Sequence, residues 1–279
     1  FGRGIVPTVD NFGLQGDPPS HPQLLDWLAV EFMTRKWSLK TLHKTIVMSA
    51  TYRQSSTVRS DARRPESRLL AKGGLFTRAP RPRLEAEIIR DSVLQAAGLL
   101  SVKMHGPGVR PPQPKGVTEV AYGSPKWTPS VGEDRYRRSI YTFMKRTAPF
   151  AMYRIFDASS GESCTARRDT SNTPLQALTL LNDVMFLEAA QGMGRMLASR
   201  NGSDADRVRY AFRRLLTRPP RADELQLLVG FVQGQRKRFA AGQLDAKTIA
   251  GTTKHAIETA AWTTLARAMF GLDETVTRN

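Results

Sequence analysis

The stretch FDASSGESCTARRDTSNTPLQAL, residues 156–178, places side chains of reactive type unusually close together. It holds the only cysteine of the chain, Cys164, and the two carboxylates that precede it, Asp157 and Glu162. Paired carboxylates act as general acid and base in glycoside hydrolysis. A thiolate is stabilised by neighbouring arginines and by a helix N-terminus, and both are expected here. The candidate catalytic residues are therefore Asp157, Glu162 and Cys164.

The same residues have a structural interpretation. A free cysteine is usually buried and fills space, and we expect this of Cys164, because no histidine adjoins it in the sequence. The two acidic residues would neutralise Arg154, Arg167 or Arg168 in a partly buried network of ion pairs. We expect guanidinium–carboxylate pairs to hold this loop together at the start of the following helix.

A second segment, EDRYRRSIYTFMKRT at 133–147, interleaves basic and aromatic residues. Such interleaving is typical of single-strand nucleic-acid platforms and of sugar-binding surfaces. On a strand, alternation would make both faces half apolar, which favours a buried strand with charged ends. Together with the arginine pair of the first loop, this segment supplies the candidate binding residues Arg137, Arg138, Lys145, Arg146, Arg167 and Arg168.

The four histidines are widely separated and show no metal-ligand spacing. The sequence contains no C-x-x-C, no C-x-x-C-H for haem attachment, no P-loop and no nucleophile elbow. We therefore predict no metal site and no cofactor. A single cysteine also excludes an internal disulfide.

The charge balance indicates an anionic partner. Lys and Arg total 42 against 25 acidic residues, which gives a net charge of +17. Such a surface attracts nucleic acid, anionic polysaccharide, acidic lipid headgroups or acidic proteins. The arginines are spread along the whole chain, which argues against nucleic-acid binding. No apolar run approaches the roughly 18 residues that a membrane span requires, so we expect no membrane span.

Helix signals dominate the chain on both sides of an irregular centre. Ser20 with Gln23, Ser38, and Thr173 with Gln176 are predicted N-terminal caps. The first two begin short helices that form a hairpin, and a polar excursion follows at 53–80. Apolar periodicity then predicts helices at 83–100, from Pro174 towards Ser199, and at 204–218, 222–239 and 246–271.

Recurrent Pro and Gly keep 105–132 out of regular structure. Residues 137–147 have the composition of a strand. The predicted fold class is therefore mainly α, with a small β element near 137–147. The expected parts are a helical 1–104, an irregular 105–172 with the strand and the Arg-rich loop, and a helical 173–279, in one continuous domain. Since the chain opens on Phe1, we expect it to be a fragment of a longer protein.

Six segments occur in a fixed order: GIVPTVDNFGLQGDPPSHPQLLDWLAVEF, LHKTIVMSATYRQSS, RPRLEAEIIRDSVL, DRYRRSIYTFMKRTAPF, FDASSGESCTARRDTSNTPLQALTLLND and AAWTTLARAMFGLDE. Together they resemble the planctomycete-specific domain of unknown function 1553, nearly end to end. The resemblance implies a C-terminal module of a large exported protein, often with a cytochrome c domain upstream. It transfers no catalytic residue. ASSGES also replaces the Pro- and Arg-containing turn usual before the cysteine.

We therefore expect a non-catalytic recognition or assembly module of an exported protein, in the periplasm or cell envelope. Its partners would be upstream domains of the same polypeptide, and an acidic protein domain or an anionic polysaccharide. Two alternatives stay open. One is a carbohydrate-active hydrolase that uses Asp157 and Glu162, and the other is a nucleic-acid-binding protein.

Overall fold

The computed structural model describes residues 1–56, 79–117 and 126–278. Within these residues the chain forms eleven α-helices and no regular strand, which confirms the mainly α fold class. The chain divides into two compact units, Phe1–Pro82 with Thr277–Asn279, and Arg83–Val276. The boundaries expected near 105 and 173 stay a prediction, and most of the excursion at 53–80 lies outside the described residues.

The described residues of the first unit form two helices that pack against each other, α1 (Pro22–Thr34) and α2 (Leu39–Met48). The cap predicted at Ser20 is wrong. His21 occupies the N-cap position without a capping side chain, and the Ser20 hydroxyl instead donates to the Ile5 carbonyl at 3.0 Å. The cap at Ser38 is confirmed, since its hydroxyl accepts from the Thr41 N–H at 3.3 Å.

The second unit contains nine helices. They are α3 (Ala86–Ala96), α4 (Ala151–Ile155), α5 (Pro174–Asn182), α6 (Val184–Ser199), α7 (Asp204–Leu216), α8 (Ala222–Ala240), α9 (Ala246–Ala250), α10 (Ala256–Phe270) and α11 (Asp273–Val276). α10 lies in the core against α6 and α8, with Trp262 fully buried. Gly194 lets α6 approach α10, because a Cβ there would lie 2.3 Å from the Thr263 hydroxyl.

Two helices predicted as continuous are each broken in two. Asp183 ends α5 in an extended conformation, and its carboxylate accepts from the Met185 N–H at 2.9 Å to begin α6. Gly251, with φ +62°, ends α9 before α10 begins. Aspartate at an N-cap and glycine at a left-handed C-terminus are the preferred residues there, so the breaks follow local chemistry. The end of α10 at Gly271 is confirmed.

The strand predicted at 137–147 is not formed. The chain makes 3-10 turns at Gly132–Tyr136 and Ser139–Tyr141, and only two isolated bridges join this region to residues 101 and 109. The carboxylate of Asp91 accepts from the Ser139 N–H at 2.8 Å and from its hydroxyl at 2.7 Å. A side chain of α3 therefore takes a backbone group that a strand ladder would otherwise satisfy.

Candidate functional site

The cysteine-bearing loop, residues 156–172, connects α4 to α5 and is anchored at Asp157. The carboxylate of Asp157 accepts from Arg83 Nη2 at 2.6 Å and from the Ser171 N–H at 2.7 Å. Burial alone would raise the pKa of Asp157, but the hydrogen bonds from Ser171 and Arg83 together hold it below its ordinary value. Asp157 is therefore ionised and fully engaged in joining the two ends of the loop.

A second anchor lies at Arg168, whose guanidinium is bound by the first turn of α3. It donates from both Nη atoms to the two carboxylate oxygens of Glu87, at 2.7 and 2.9 Å, and lies 3.5 Å from Glu85. Burial alone would raise the pKa of Glu87, but the hydrogen bond and charge of Arg168, together with a backbone hydrogen bond, hold it below its ordinary value. Guanidinium–carboxylate pairs hold the loop, as the sequence predicts, but the pairs differ from those expected. Asp157 pairs with Arg83, and Arg168 pairs with Glu87 and Glu85 at the start of α3.

The centre of the loop, between the two anchors, faces solvent. Glu162 and Cys164 are both exposed, and within the described residues neither makes an ion pair. The expectation that Cys164 fills space in the core is wrong, because the surrounding residues 159–167 are almost all small or polar and give it no apolar neighbours in sequence. The structure therefore does not combine Asp157, Glu162 and Cys164 into one hydrogen-bonded catalytic group.

Unpaired cations lie on this loop and beside it. Gly161 packs against the neighbouring segment, since a Cβ there would lie 3.7 Å from Arg146 Cγ. Arg146 and Arg167 are exposed and Lys145 is half-buried. In the described part of the chain none of the three has a carboxylate within ion-pair distance. We call Lys145, Arg146 and Arg167 the cationic loop surface.

The remaining predicted binding residues differ from each other in position. Arg137 is only 1% exposed, stacks 3.8 Å above the Tyr141 ring and donates to the carbonyls of Lys103, His105 and Pro107. A contact between Arg137 and a partner molecule does not agree with this burial. Arg138 is exposed and makes only a 3.9 Å contact with a methionine sulfur. Four of the six predicted cations thus keep an uncommitted charge: Arg138, Lys145, Arg146 and Arg167.

Sequence reasoning missed Arg90, which is fully buried on α3. It donates to the Arg137 carbonyl at 2.8 Å and to the Ser139 hydroxyl at 3.2 Å. The sequence does contain a signal for the burial of Arg90. This residue lies four positions after Ala86 and three before Val93, and therefore on the face of the helix that apolar periodicity assigns to the core. Charged residues on such a face indicate a polar core contact.

Side chains that could ligate a metal are dispersed in the described residues. No group of three or more His, Cys, Asp or Glu side chains there could hold a metal ion. None of the helices described is both long and apolar enough to cross a bilayer. The structure of these residues therefore offers the two anchors and the cationic loop surface as its distinctive polar features.

Residues 1–232 match the sequence model of the PSD1 family, described as protein of unknown function (DUF1553). The chain belongs to this family. The match confirms the resemblance to domain of unknown function 1553. The PSD1 region includes both anchors and the cationic loop surface, whereas α9, α10 and α11 lie beyond it. Comparison with curated proteins and with solved structures gave no match.

Proposed function

We propose that this PSD1 chain is a non-catalytic recognition or assembly module of an exported multidomain protein. Its cationic loop surface binds an acidic protein domain or an anionic polysaccharide. One observation carries the proposal: Asp157 and Arg168 are paired with Arg83 and α3, yet Arg167 on the loop and Arg146 beside it are exposed without a carboxylate partner in the described residues.

The anchors make this surface suitable for recognition. A loop that is already ordered loses less conformational entropy on binding than a mobile one. Exposed cations on a protein of net charge +17 also attract an anionic partner from a distance and steer its approach. Binding through these residues should therefore weaken as salt is added.

Asp157 does not suit the general-acid role that the hydrolase alternative requires. A general acid in glycoside hydrolysis needs a raised pKa so that it stays protonated. The pKa of Asp157 is lowered instead, since Arg83 and Ser171 stabilise its ionised form. Every contact of this carboxylate favours a structural role over proton donation.

The test compares the parent protein with Arg146→Gln/Arg167→Gln. Heparin and poly-glutamate are the probes, representing sulfated polysaccharide and acidic protein. We expect affinity for at least one probe to fall about tenfold in low salt. Lys237→Gln/Arg238→Gln on α8 is the matched control, because both residues are exposed and the charge loss is equal. Equal binding by the parent and the loop variant would remove this surface from the proposal.

A DNA duplex and a DNA single strand serve as a third arm. Tighter binding to DNA than to heparin at the same ionic strength, with a steep loss as salt rises, would favour the nucleic-acid alternative. Similar, weak binding to all polyanions would count against it. The salt slope distinguishes these outcomes, because it reports the number of phosphates neutralised.

The cellular context forms part of the same proposal. We propose that the module follows other domains of an exported planctomycete polypeptide, with a cytochrome c domain among its neighbours, in the periplasm or cell envelope. The support is the family membership together with what the resemblance implies about domain order. The full reading frame is the test. A signal peptide and a C-x-x-C-H motif upstream are expected, and a frame with neither would end this part of the proposal.

A further inference from the structure

Helix α5 presents three of its four leucines to solvent, and its core-facing side carries Gln176 and Thr179 beside Leu180. Leu175, Leu178 and Leu181 are 55%, 53% and 38% exposed, whereas Gln176 and Thr179 are buried. At 100° per residue the three leucines cover one side of the helix, opposite the buried residues. The sequence of α5, PLQALTLLN, contains no charged residue. A surface helix of a globular protein normally has the reverse arrangement.

The orientation of α5 is fixed by the buried side chain of Gln176. Its Nε2 donates to the Ile155 carbonyl at 2.9 Å and to the Ser171 hydroxyl at 3.0 Å, and its Oε1 accepts from the Thr173 N–H at 3.3 Å. Rotating the helix to bury the leucines would break these bonds and leave buried polar groups without partners, which is unfavourable. The leucines are therefore held at the surface by specific contacts.

The apolar surface continues beyond α5. A Cβ on Gly271 would lie 3.9 Å from Leu181, so the residues that end α10 adjoin the last leucine of α5. Leu272, the next residue along the chain, is 38% exposed. We call Leu175, Leu178, Leu181 and Leu272 the leucine face. Contiguous exposed apolar patches of this kind mark interaction sites.

One arginine adjoins the leucine face, and a second lies on a helix that packs against α5. Arg267 donates to the Leu181 carbonyl at 2.7 Å, at the C-terminal end of α5. Arg154 is exposed on α4, which packs against α5. Neither has a carboxylate partner in the part of the chain that is described. A second copy of this chain is a poor occupant, because each copy carries a net charge of +17 and the copies repel.

We propose that the leucine face binds an amphipathic helix of a partner protein, whose apolar stripe is flanked by carboxylates. Leucines at a spacing of three residues suit a helical stripe with anchors at three- and four-residue intervals. The flanking carboxylates pair with Arg154 and Arg267, which fixes the orientation of the partner helix. This surface goes beyond the cationic loop surface and uses different residues, so either one can fail without the other.

The probe is a fluorescein-labelled peptide of about 18 residues, long enough to form a helix, with leucines at helical spacing and glutamates on both flanks. A scrambled peptide of the same composition is the control ligand. Binding is followed by fluorescence anisotropy. We expect the parent protein to bind the patterned peptide and not the scrambled one. We expect Leu175→Gln/Leu178→Gln to weaken binding about tenfold or more.

Leu227→Gln is the matched control variant, because Leu227 on α8 is 73% exposed and lies in the same unit. Its binding and melting temperature should equal those of the parent. Arg154→Gln provides an independent variant, with binding reduced roughly threefold and a smaller salt dependence. The proposal is overturned if the parent does not bind the patterned peptide, or if the scrambled peptide binds equally well. Self-association abolished by Leu175→Gln/Leu178→Gln would overturn it in favour of a second copy.

Discussion

Arg83 and Asp157 form an ion pair across 74 residues of sequence, with 2.6 Å between Nη2 and Oδ2. Arg83 also donates to the Ser171 carbonyl at 2.6 Å, at the other end of the cysteine-bearing loop. One guanidinium thus closes the loop from outside it. Asp157, one of the candidate catalytic residues, is therefore part of a clamp, and the centre of the loop faces solvent.

Asp157→Asn should destabilise the protein by about 1–3 kcal/mol at neutral pH, because it removes charge-assisted hydrogen bonds to Arg83 and Ser171. Since the pKa of Asp157 is lowered on folding, its stabilising effect is complete above the unfolded value of about 3.9 and is lost as the pH falls through the folded value. Urea unfolding at several pH values tests this. A difference in the free energy of unfolding between variant and parent that stayed constant down to pH 2 would contradict this prediction. Glu162→Gln is the control at an exposed position and should change the stability little.

Arg218→Gln should make the free energy of unfolding depend less on pH in the acid range. Arg218 binds Glu224 through two bonds of 2.8 Å and Glu274 at 2.7 and 2.8 Å, and its hydrogen bonds lower the pKa of Glu224 to about 2. The parent should lose this contribution between about pH 4, the unfolded value, and pH 2. We expect the variant to be roughly 1–2 kcal/mol less stable at neutral pH. NMR titration of the glutamate carboxyl carbons provides the direct check, with Arg213→Gln as an exposed control.

Arg90→Met should destabilise the protein by about 1–3 kcal/mol, the cost of leaving buried hydrogen-bonding groups without a partner. The Arg137 carbonyl and the Ser139 hydroxyl would lose a donor in a buried site. Arg138→Met, an exposed neighbour of that site, should stay within about 0.5 kcal/mol of the parent. Chemical denaturation measures both. Similar small effects for the two variants would show that Arg90 is not essential to the core.

On α5, replacing a polar residue should destabilise the protein more than replacing an apolar one. The two substitutions that compare this are Gln176→Leu and Leu178→Gln. Gln176→Leu removes three hydrogen bonds from a buried position and should cost about 1–3 kcal/mol. Leu178→Gln changes an exposed side chain and should lie within about 0.5 kcal/mol. Thermal unfolding of both compares them directly. A more stable Gln176→Leu protein would mean that α5 does not hold the orientation described above.

Cys164 should react with a thiol reagent in the native protein at a rate within roughly threefold of the unfolded chain, because its side chain is exposed. Cys164→Ser should leave the free energy of unfolding unchanged within about 0.5 kcal/mol. Absorbance after addition of an aromatic disulfide reagent measures the rate. Strong protection of the native thiol would show that the loop covers it.

Local chemistry allowed several elements to be predicted. Ser38 begins α2 and Gly271 ends α10, as predicted, because caps depend on residues adjacent in sequence. The same kind of signal is present at Asp183 and Gly251. Apolar periodicity continues past both residues, however, and predicts one helix where the structure has α5 and α6, and one where it has α9 and α10. The strand at 137–147 failed for a different reason. Its composition suits a strand, but the Asp91 carboxylate binds the Ser139 N–H from a distant helix.

The sequence by itself determined the helical fold class, the family and the excess of positive charge, since these depend on periodicity, motif order and composition. Only the tertiary structure decided which charges are free. An ion pair such as that of Arg168 with Glu87 joins residues 81 positions apart, and no local pattern specifies that pairing. The same holds for α5, where the hydrogen bonds of the buried Gln176 hold Leu175, Leu178 and Leu181 at the surface. Burial is a property of neighbours in space, and those neighbours come from the whole fold.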